Sequence, residues 1–332
     1  MIDTITLYQS GKNRKDFDIN PKRFNKSFDH EDKPLKLYKT FYKDDNDKER
    51  KQSIYIENNL QNNFSLITFS APKLLYGTSL KNTKLEDAGK LEGILQNRLK
   101  GIFDGDFANM QLSRLDVTQN IQVSQEVPIY IHALNNAYSK NGRYRVDKFS
   151  DETLQIKNNS RKFMMYDKVK EALHNKDITR QEAKANGNIL RYEIQHKRGR
   201  DIRVSFKNKE PFRLSDLKSE SFYDNCKQFQ VQSFDRFFCN AGNYELFLED
   251  LTLIDVIKQY NSRNILKNFM IKKMTDTTDY THDFQEYEQL LKHAGLSKDG
   301  IRKALKDAQR VILLAKTKQS DVLEEIRSKL VA

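Results

Sequence analysis

Residues 113–123 alternate so regularly that they admit one local structure, a β-strand with two unlike faces. Side chains along a strand point to opposite faces in turn. Leu115, Val117, Ile121 and Val123 therefore share one face, and Arg114, Asp116, Thr118, Asn120 and Gln122 share the other. The apolar set asks for a core, whereas the polar set needs water, hydrogen-bond partners or a ligand. A solvated outer face is the commoner meaning of such a pattern.

Two further segments repeat this design. In residues 161–168, Phe163 and Met165 fall on one side and Lys162, Tyr166 and Lys168 on the other. Cations beside a tyrosine hydroxyl would favour phenolate and attract a phosphodiester. The plainer alternative is a half-buried tyrosine, one of 15 in the chain, with ordinary surface lysines. In residues 189–196, Leu190, Tyr192 and Ile194 make the apolar face and Arg191, Glu193 and Gln195 the polar one. A lone Arg-x-acid is more often a surface ion pair. Neighbouring strands with coincident polar faces would let Asp116 and Glu193 share one Mg2+ or Mn2+, since such ions accept few protein carboxylates and keep positions open for phosphate oxygens. Tyr166 is then the candidate nucleophile, with Lys168 beside it and Arg114, Arg191 and Lys162 near phosphates. Alternatively, Arg114 and Arg191 orient the two carboxylates. Tyr138 and Tyr144 are alternative nucleophiles, and His132 and His196 candidate third ligands. His196 has the wrong parity to point with Glu193.

The surrounding pattern is α+β, and a 332-residue chain can bury a sizeable core. Strand chemistry marks the N-terminal ten residues, 53–56 and 64–70. Thr83 and Glu86 have capping-box spacing ahead of Leu85, Ala88, Leu91, Leu95 and Leu99, with Gly101 as the stop. A second helix is expected over 127–138. Beyond Pro211 the periodicity turns helical, with Leu253, Val256, Ile257 and Tyr260 at helical spacing. Near the end, a helix over 283–293, a turn at Gly295 and a Ser297-capped helix form a helix-turn-helix shape. It would offer Lys298, Arg302, Lys303 and Lys306 to DNA, and an ordinary helical hairpin is the alternative. The domains expected are a nicking and joining unit over 1–210, a helical extension over 211–280 and a DNA-binding or interaction region over 281–332. A formal charge of +12 suits a polyanionic partner, though charge can serve solubility alone. Two cysteines without C-x-x-C spacing exclude a disulfide framework or zinc ribbon and suit a reducing cytoplasm. Neither a secretory leader nor a membrane-spanning apolar run is read in the sequence, so no membrane partner is expected.

Four segments in order carry a resemblance: 69–77 (Phe-Ser-Ala-Pro-Lys-Leu-Leu-Tyr-Gly), 113–117 (Ser-Arg-Leu-Asp-Val), 163–168 (Phe-Met-Met-Tyr-Asp-Lys) with Glu171, and 189–193 (Ile-Leu-Arg-Tyr-Glu). Over roughly residues 50–205 the chain resembles the phage and plasmid rolling-circle replication initiators, including the filamentous-phage replication proteins and related staphylococcal plasmid initiators. The tail is outside the likeness. The resemblance implies a twisted antiparallel sheet with helices on one face, site-specific nicking of single-stranded origin DNA, and a 5′-phosphotyrosine that is later religated. It carries the metal acids onto Asp116 and Glu193 and the nucleophile onto Tyr166. It also implies a host helicase and DNA polymerase as partners, a homodimer as one assembly, and the bacterial cytoplasm as location. The His-hydrophobic-His pair of many such nucleases is missing, which favours a carboxylate site. The other readings are a non-catalytic origin-binding or regulatory protein and a metal nuclease that activates water.

Overall fold

A computed structural model describes residues 1–11, 24–29, 35–40, 54–59, 62–100, 103, 105–138 and 143–239; near the C-terminus it describes 288–289, 291–292, 297–303, 305–306 and 319–332. One ten-stranded sheet organises them, in the order β2-β3-β4-β5-β1-β6-β10-β9-β8-β7. Its strands are β1 (Ile2–Ser10), β2 (Phe24–Asp29), β3 (Leu35–Thr40), β4 (Tyr55–Asn59), β5 (Phe64–Ser70), β6 (Gln111–Gln122), β7 (Arg145–Ser150), β8 (Thr153–Lys157), β9 (Arg161–Asp167) and β10 (Ile189–His196). All neighbouring pairs are antiparallel. The expected α+β architecture is therefore present.

The helices are α1 (Ala71–Tyr76), α2 (Leu85–Ala88), α3 (Lys90–Leu99), α4 (Val127–Ala137), α5 (Lys168–His174), α6 (Arg180–Asn186), α7 (Gly199–Ser205), α8 (Glu220–Phe238) and α9 (Gln319–Val331). Two apolar cores lie between one face of the sheet and these helices. Ile5, Leu7, Ile67, Phe69 and Leu115 meet α1, α3 and α7 in the first core. Ile121, Phe163, Met165, Leu190, Tyr192 and Ile194 meet α4 and α9 in the second. Helix α8 spans both, giving Phe222, Tyr223 and Cys226 to the first and Phe234, Phe237 and Phe238 to the second. Each fully buried aromatic or leucine is worth about 1.5–3 kcal/mol of transfer free energy.

One polar residue interrupts the apolar parity of β6, and the last helix answers it. Gln119 donates to the Lys329 carbonyl of α9 at 2.7 Å, and the Lys329 ammonium donates to the Gln122 carbonyl at 2.7 Å. Glu325 of α9 accepts from the Ser124 amide and hydroxyl, both at 2.9 Å, and from the Tyr130 hydroxyl. Burial works against this carboxylate, but hydrogen bonds from Lys329, Tyr130 and Ser124 hold it down at about 2. Glu325→Ala is expected to cost about 1.5–3 kcal/mol, the scale of hydrogen bonds to a charged group. Urea midpoints test this. The contribution is present above the usual carboxylate range and fades as pH falls toward the folded value.

Several expectations need correction. The three strands read between Gln111 and His196 are present, and the hairpin of β7 and β8 adds two more. Strand β7 is a largely exposed edge and carries little apolar alternation. Thr83 forms no capping box. Its hydroxyl donates to the Ile2 carbonyl at 2.6 Å, Lys84 occupies the cap position, and Gly89 divides the expected helix in two. Lys168 is the first residue of α5 rather than a strand residue. Strands β2 and β3 were not anticipated. Ser297 does cap a helix, accepting from the Gly300 amide at 3.2 Å. Residues 288–289 and 291–292 are helical, whereas Gly101, Gly295, Leu253, Val256, Ile257 and Tyr260 lie outside the described residues. No helix among the described residues is long and apolar enough to cross a membrane.

Candidate active site

The antiparallel registers bring the three polar faces together. Gln195 lies opposite Asp116 and Glu193 opposite Thr118, while on the other side Glu193 lies opposite Met164 and Arg191 opposite Tyr166. Asp116, Glu193 and Tyr166 thus form one diagonal across β6, β10 and β9, each a diagonal neighbour of the next. Such neighbours are within reach of long side chains. The Tyr166 hydroxyl donates to Glu193 Oε2 at 2.9 Å, and Gln195 Nε2 donates to Oε1 at 2.8 Å. Arg114 clamps Asp116 with two hydrogen bonds, Nε to Oδ1 at 3.0 Å and an NH2 group to Oδ2 at 2.7 Å.

The centre of this polar face is buried, whereas Tyr166, Gln195 and Arg114 around it are partly exposed. Asp116 and Arg191 are 1% exposed, Thr118 3% and Glu193 5%. Part of the cover is the loop after α1. Pro72 sits in the first turn of α1, where its missing N–H is harmless, and Gly77 ends the helix with φ 71°, a left-handed value that suits glycine. The chain then crosses to Asn120, whose side-chain amide donates to the carbonyls of Ser79 and Leu80 at 3.3 and 2.7 Å. Arg191 donates to the same Ser79 carbonyl at 3.1 Å.

Arg191 is the hub. One NH2 group donates to Asp3 of β1, and its Nε lies 3.2 Å from Glu193 Oε2. The guanidinium is buried and lies beside the Glu193 carboxylate, engaged by Asp3 and the Ser79 carbonyl. Asp3 is the residue that sequence reasoning missed. Ile2 and Ile5 face the same core although three apart, because a bulge interrupts the β1–β6 register between them. That odd spacing was the available signal, and the extra residue lets Asp3 reach the polar face.

The electrostatics follow from burial. Burial, aided by the neighbouring Glu193 charge, lifts the Asp116 carboxyl to about 7 against the pull of Arg114. Burial also pushes the Tyr166 hydroxyl well above its ordinary value; Arg191 opposes this and Glu193 adds to it. The expectation of a lysine-favoured phenolate is therefore reversed. Lys168 turns its ammonium to Glu171 at 2.6 Å, 5.9 Å from the Tyr166 ring centre, and burial lowers its own basicity. Lys162 shares the parity of Tyr166, opposite Gln195, at the far end of β9.

Other candidates lie elsewhere. His196 is buried on the core face, 2.9 Å from the Ser205 hydroxyl and against the rings of Phe206 and Phe229. His132 faces Asp151 at 3.1 Å and packs edge-on to Phe149. Tyr138 and Tyr144 both pack against Phe237 in the second core. Lys298, Arg302, Lys303 and Lys306 are exposed on the Ser297-capped helix, with Lys306 3.9 Å from Glu126 at the start of α4. Lys306 thus lies beside α4, the helix that packs on the apolar face of the sheet.

Among the described residues no group of three or more His, Cys, Asp or Glu side chains could hold a metal ion. The two-acid set nevertheless fits a hard divalent cation. Asp116 and Glu193 supply oxygen donors, and a bound cation would offset the burial that, together with the Glu193 charge, raises Asp116.

Comparison with curated proteins finds no match. Residues 41–209, just over half of the chain, match the family model for the N-terminal part of a phage replication-associated protein. That stretch contains β4 to β10, with Asp116, Tyr166 and Glu193, and all four segments that carry the resemblance to phage replication proteins. The chain belongs to this family of phage replication-associated proteins.

Proposed function

We propose that the protein initiates rolling-circle replication as a metal-dependent tyrosine endonuclease acting on single-stranded origin DNA. The observation that carries this reading is the diagonal of Asp116, Glu193 and Tyr166, with the tyrosine hydroxyl hydrogen-bonded to Glu193. Tyr166 attacks a backbone phosphorus: its phenolic oxygen forms the new P–O bond, the P–O3′ bond breaks, and the electron pair leaves on O3′. The phenol proton departs along the hydrogen bond to Glu193 Oε2, and the O3′ oxygen takes a proton from water to become a free 3′-hydroxyl. Because the 5′-phosphotyrosine keeps the bond energy, reversal of the step religates the strand without ATP. Asp116 and Glu193 would hold Mg2+ or Mn2+, which when bound supplies polarisation of the phosphate and charge compensation. Arg114 keeps the Asp116 carboxylate in place, Arg191 does the same for Glu193, and the +12 chain charge favours the DNA strand. Lys162 and the exposed tail cations are proposed DNA contacts, and a host helicase and polymerase the proposed partners.

Incubating labelled single-stranded origin DNA with the protein and Mn2+ tests the reading. A covalent protein–DNA adduct is expected. Cleavage without adduct would favour a water-activating nuclease, and binding without cleavage a non-catalytic origin-binding protein. The metal proposal has its own readout in thermal denaturation. Mn2+ at about 100 times its Kd is expected to stabilise the protein by ~2.7 kcal/mol, and Asp116→Asn to lose that gain. Equal stabilisation of both proteins would remove Asp116 from the metal site.

A further inference from the structure

We infer that Asp3, on the first strand, is a positioning residue for nicking: it anchors Arg191 so that Glu193 and the Tyr166 hydroxyl are held together. The inference deepens the nicking proposal and rests on it. Asp3 itself lies outside the family match, which begins at residue 41. Yet β1 sits inside the sheet between β5 and β6, and its bulge delivers Asp3 to the polar face.

A chain of contacts runs from that residue to the nucleophile. The Ser70 hydroxyl donates to Asp3 Oδ1 at 2.6 Å, and Arg191 donates to Oδ2. The same guanidinium puts its Nε 3.2 Å from Glu193 Oε2, the oxygen that accepts the Tyr166 hydroxyl at 2.9 Å. Arg191 Nε makes no hydrogen bond of its own, so this edge of the guanidinium is fixed by its other contacts, Asp3 and the Ser79 carbonyl. Burial disfavours an ionised Asp3, yet Arg191 above all, then Lys168, Ser70 and Lys73, keep its carboxyl below the usual range. A buried ion pair repays its desolvation poorly and is weak support for stability. Its geometry, in contrast, decides where the Glu193 carboxylate sits. Motif residues in 69–77 serve the same end, since Ser70 fixes Asp3 and the turn after Gly77 delivers the Ser79 carbonyl.

Two readouts on the full chain separate this role from bulk stability. With tyrosine labelled at the ring carbon bearing oxygen, the Tyr166 resonance is the one lost in Tyr166→Phe. Asp3→Asn is expected to shift it although the two residues do not touch. Under saturating origin DNA and Mn2+, Asp3→Asn is expected to slow adduct formation ~10–100-fold with DNA affinity unchanged, the scale seen when an outer-shell partner is lost. Asp3→Glu, which restores the charge, should recover part of the rate. An unmoved Tyr166 resonance, or an unchanged rate in Asp3→Asn, overturns the proposal. So does a rate loss matched by an equal loss of DNA affinity. Should Asp3→Asn fail to fold, Ser70→Ala removes one hydrogen bond and no charge; it must then shift the same resonance, and no shift overturns the proposal. If the unaltered protein forms no adduct, the nicking reading fails, while the resonance still decides whether Asp3 governs Tyr166.

Discussion

Tyr166→Phe is expected to abolish the covalent protein–DNA adduct while leaving the chain folded and bound to its strand. The substitution keeps the ring and deletes only the oxygen that would attack phosphorus. Glu193 loses one donor but retains Gln195 on its other oxygen and Arg191 alongside. Loss of one hydrogen bond to a carboxylate costs about 1.5–3 kcal/mol, less than the ~5–15 kcal/mol needed to unravel a fold. The catalytic effect, in contrast, is total, because no other hydroxyl on that diagonal can take its place. Thr118 is buried beside it but is far less acidic than a phenol. Tyr138→Phe and Tyr144→Phe supply the control. Their rings belong to the aromatic cluster around Phe237, so the adduct should survive both changes. Adduct that persists in Tyr166→Phe and vanishes in Tyr144→Phe would move the nucleophile and sink the assignment. Proton transfer can also be checked here. Since burial holds the hydroxyl neutral, Glu193→Gln should suppress adduct formation even at alkaline pH.

How far this site was readable in the sequence depends on the kind of information each residue needs. The alternation in residues 113–123 and 189–196 depends only on strand parity, and β6 and β10 fall where it put them. Parity also kept His196 away from Glu193. Register is different, because it depends on partners distant in the chain, so the diagonal through Asp116, Glu193 and Tyr166 could be stated only as a condition. Lys168 failed because parity was extended past the end of a strand. Asp167 accepts from the Lys170 amide at 3.0 Å and starts α5, which swings Lys168 toward Glu171. Thr83 failed for a related reason: a hydroxyl that could cap a helix found the Ile2 carbonyl instead. Asp3 was hidden by a bulge that breaks period two. Burial of the polar face was invisible as well, since nothing local says that the loop after Gly77 folds over Asn120 and Arg191. Tertiary cover then reverses the local inference about Tyr166. Two neighbouring lysines suggest a phenolate, but the closed environment and Glu193 keep the phenol.

Asp116→Asn should separate function from stability in opposite directions. Nicking is expected to fall ~10²–10³-fold, the scale for removing one partner of developing charge in a closed site. Stability is expected to rise, and the pH dependence says why. In the folded chain burial chiefly, with Glu193, lifts Asp116 to about 7 against Arg114. In the unfolded chain the carboxyl titrates near ~3.9. Between those values the folded state binds more protons than the unfolded one, so this group's contribution declines as pH rises from ~4 and levels off above the folded value. Asparagine keeps the shape and carries no charge to desolvate. Arg114, whose side chain is 37% exposed, can turn to water when its clamp is lost. The variant should therefore melt above the unaltered protein near pH ~8, with the margin closing toward pH ~5. Mn2+ should close it from the other side, by stabilising only the protein that still has its aspartate. The reverse order at alkaline pH would mean that the Arg114 clamp outweighs burial. Asp116 would then be an ionised structural partner rather than a carboxylate held ready for a cation.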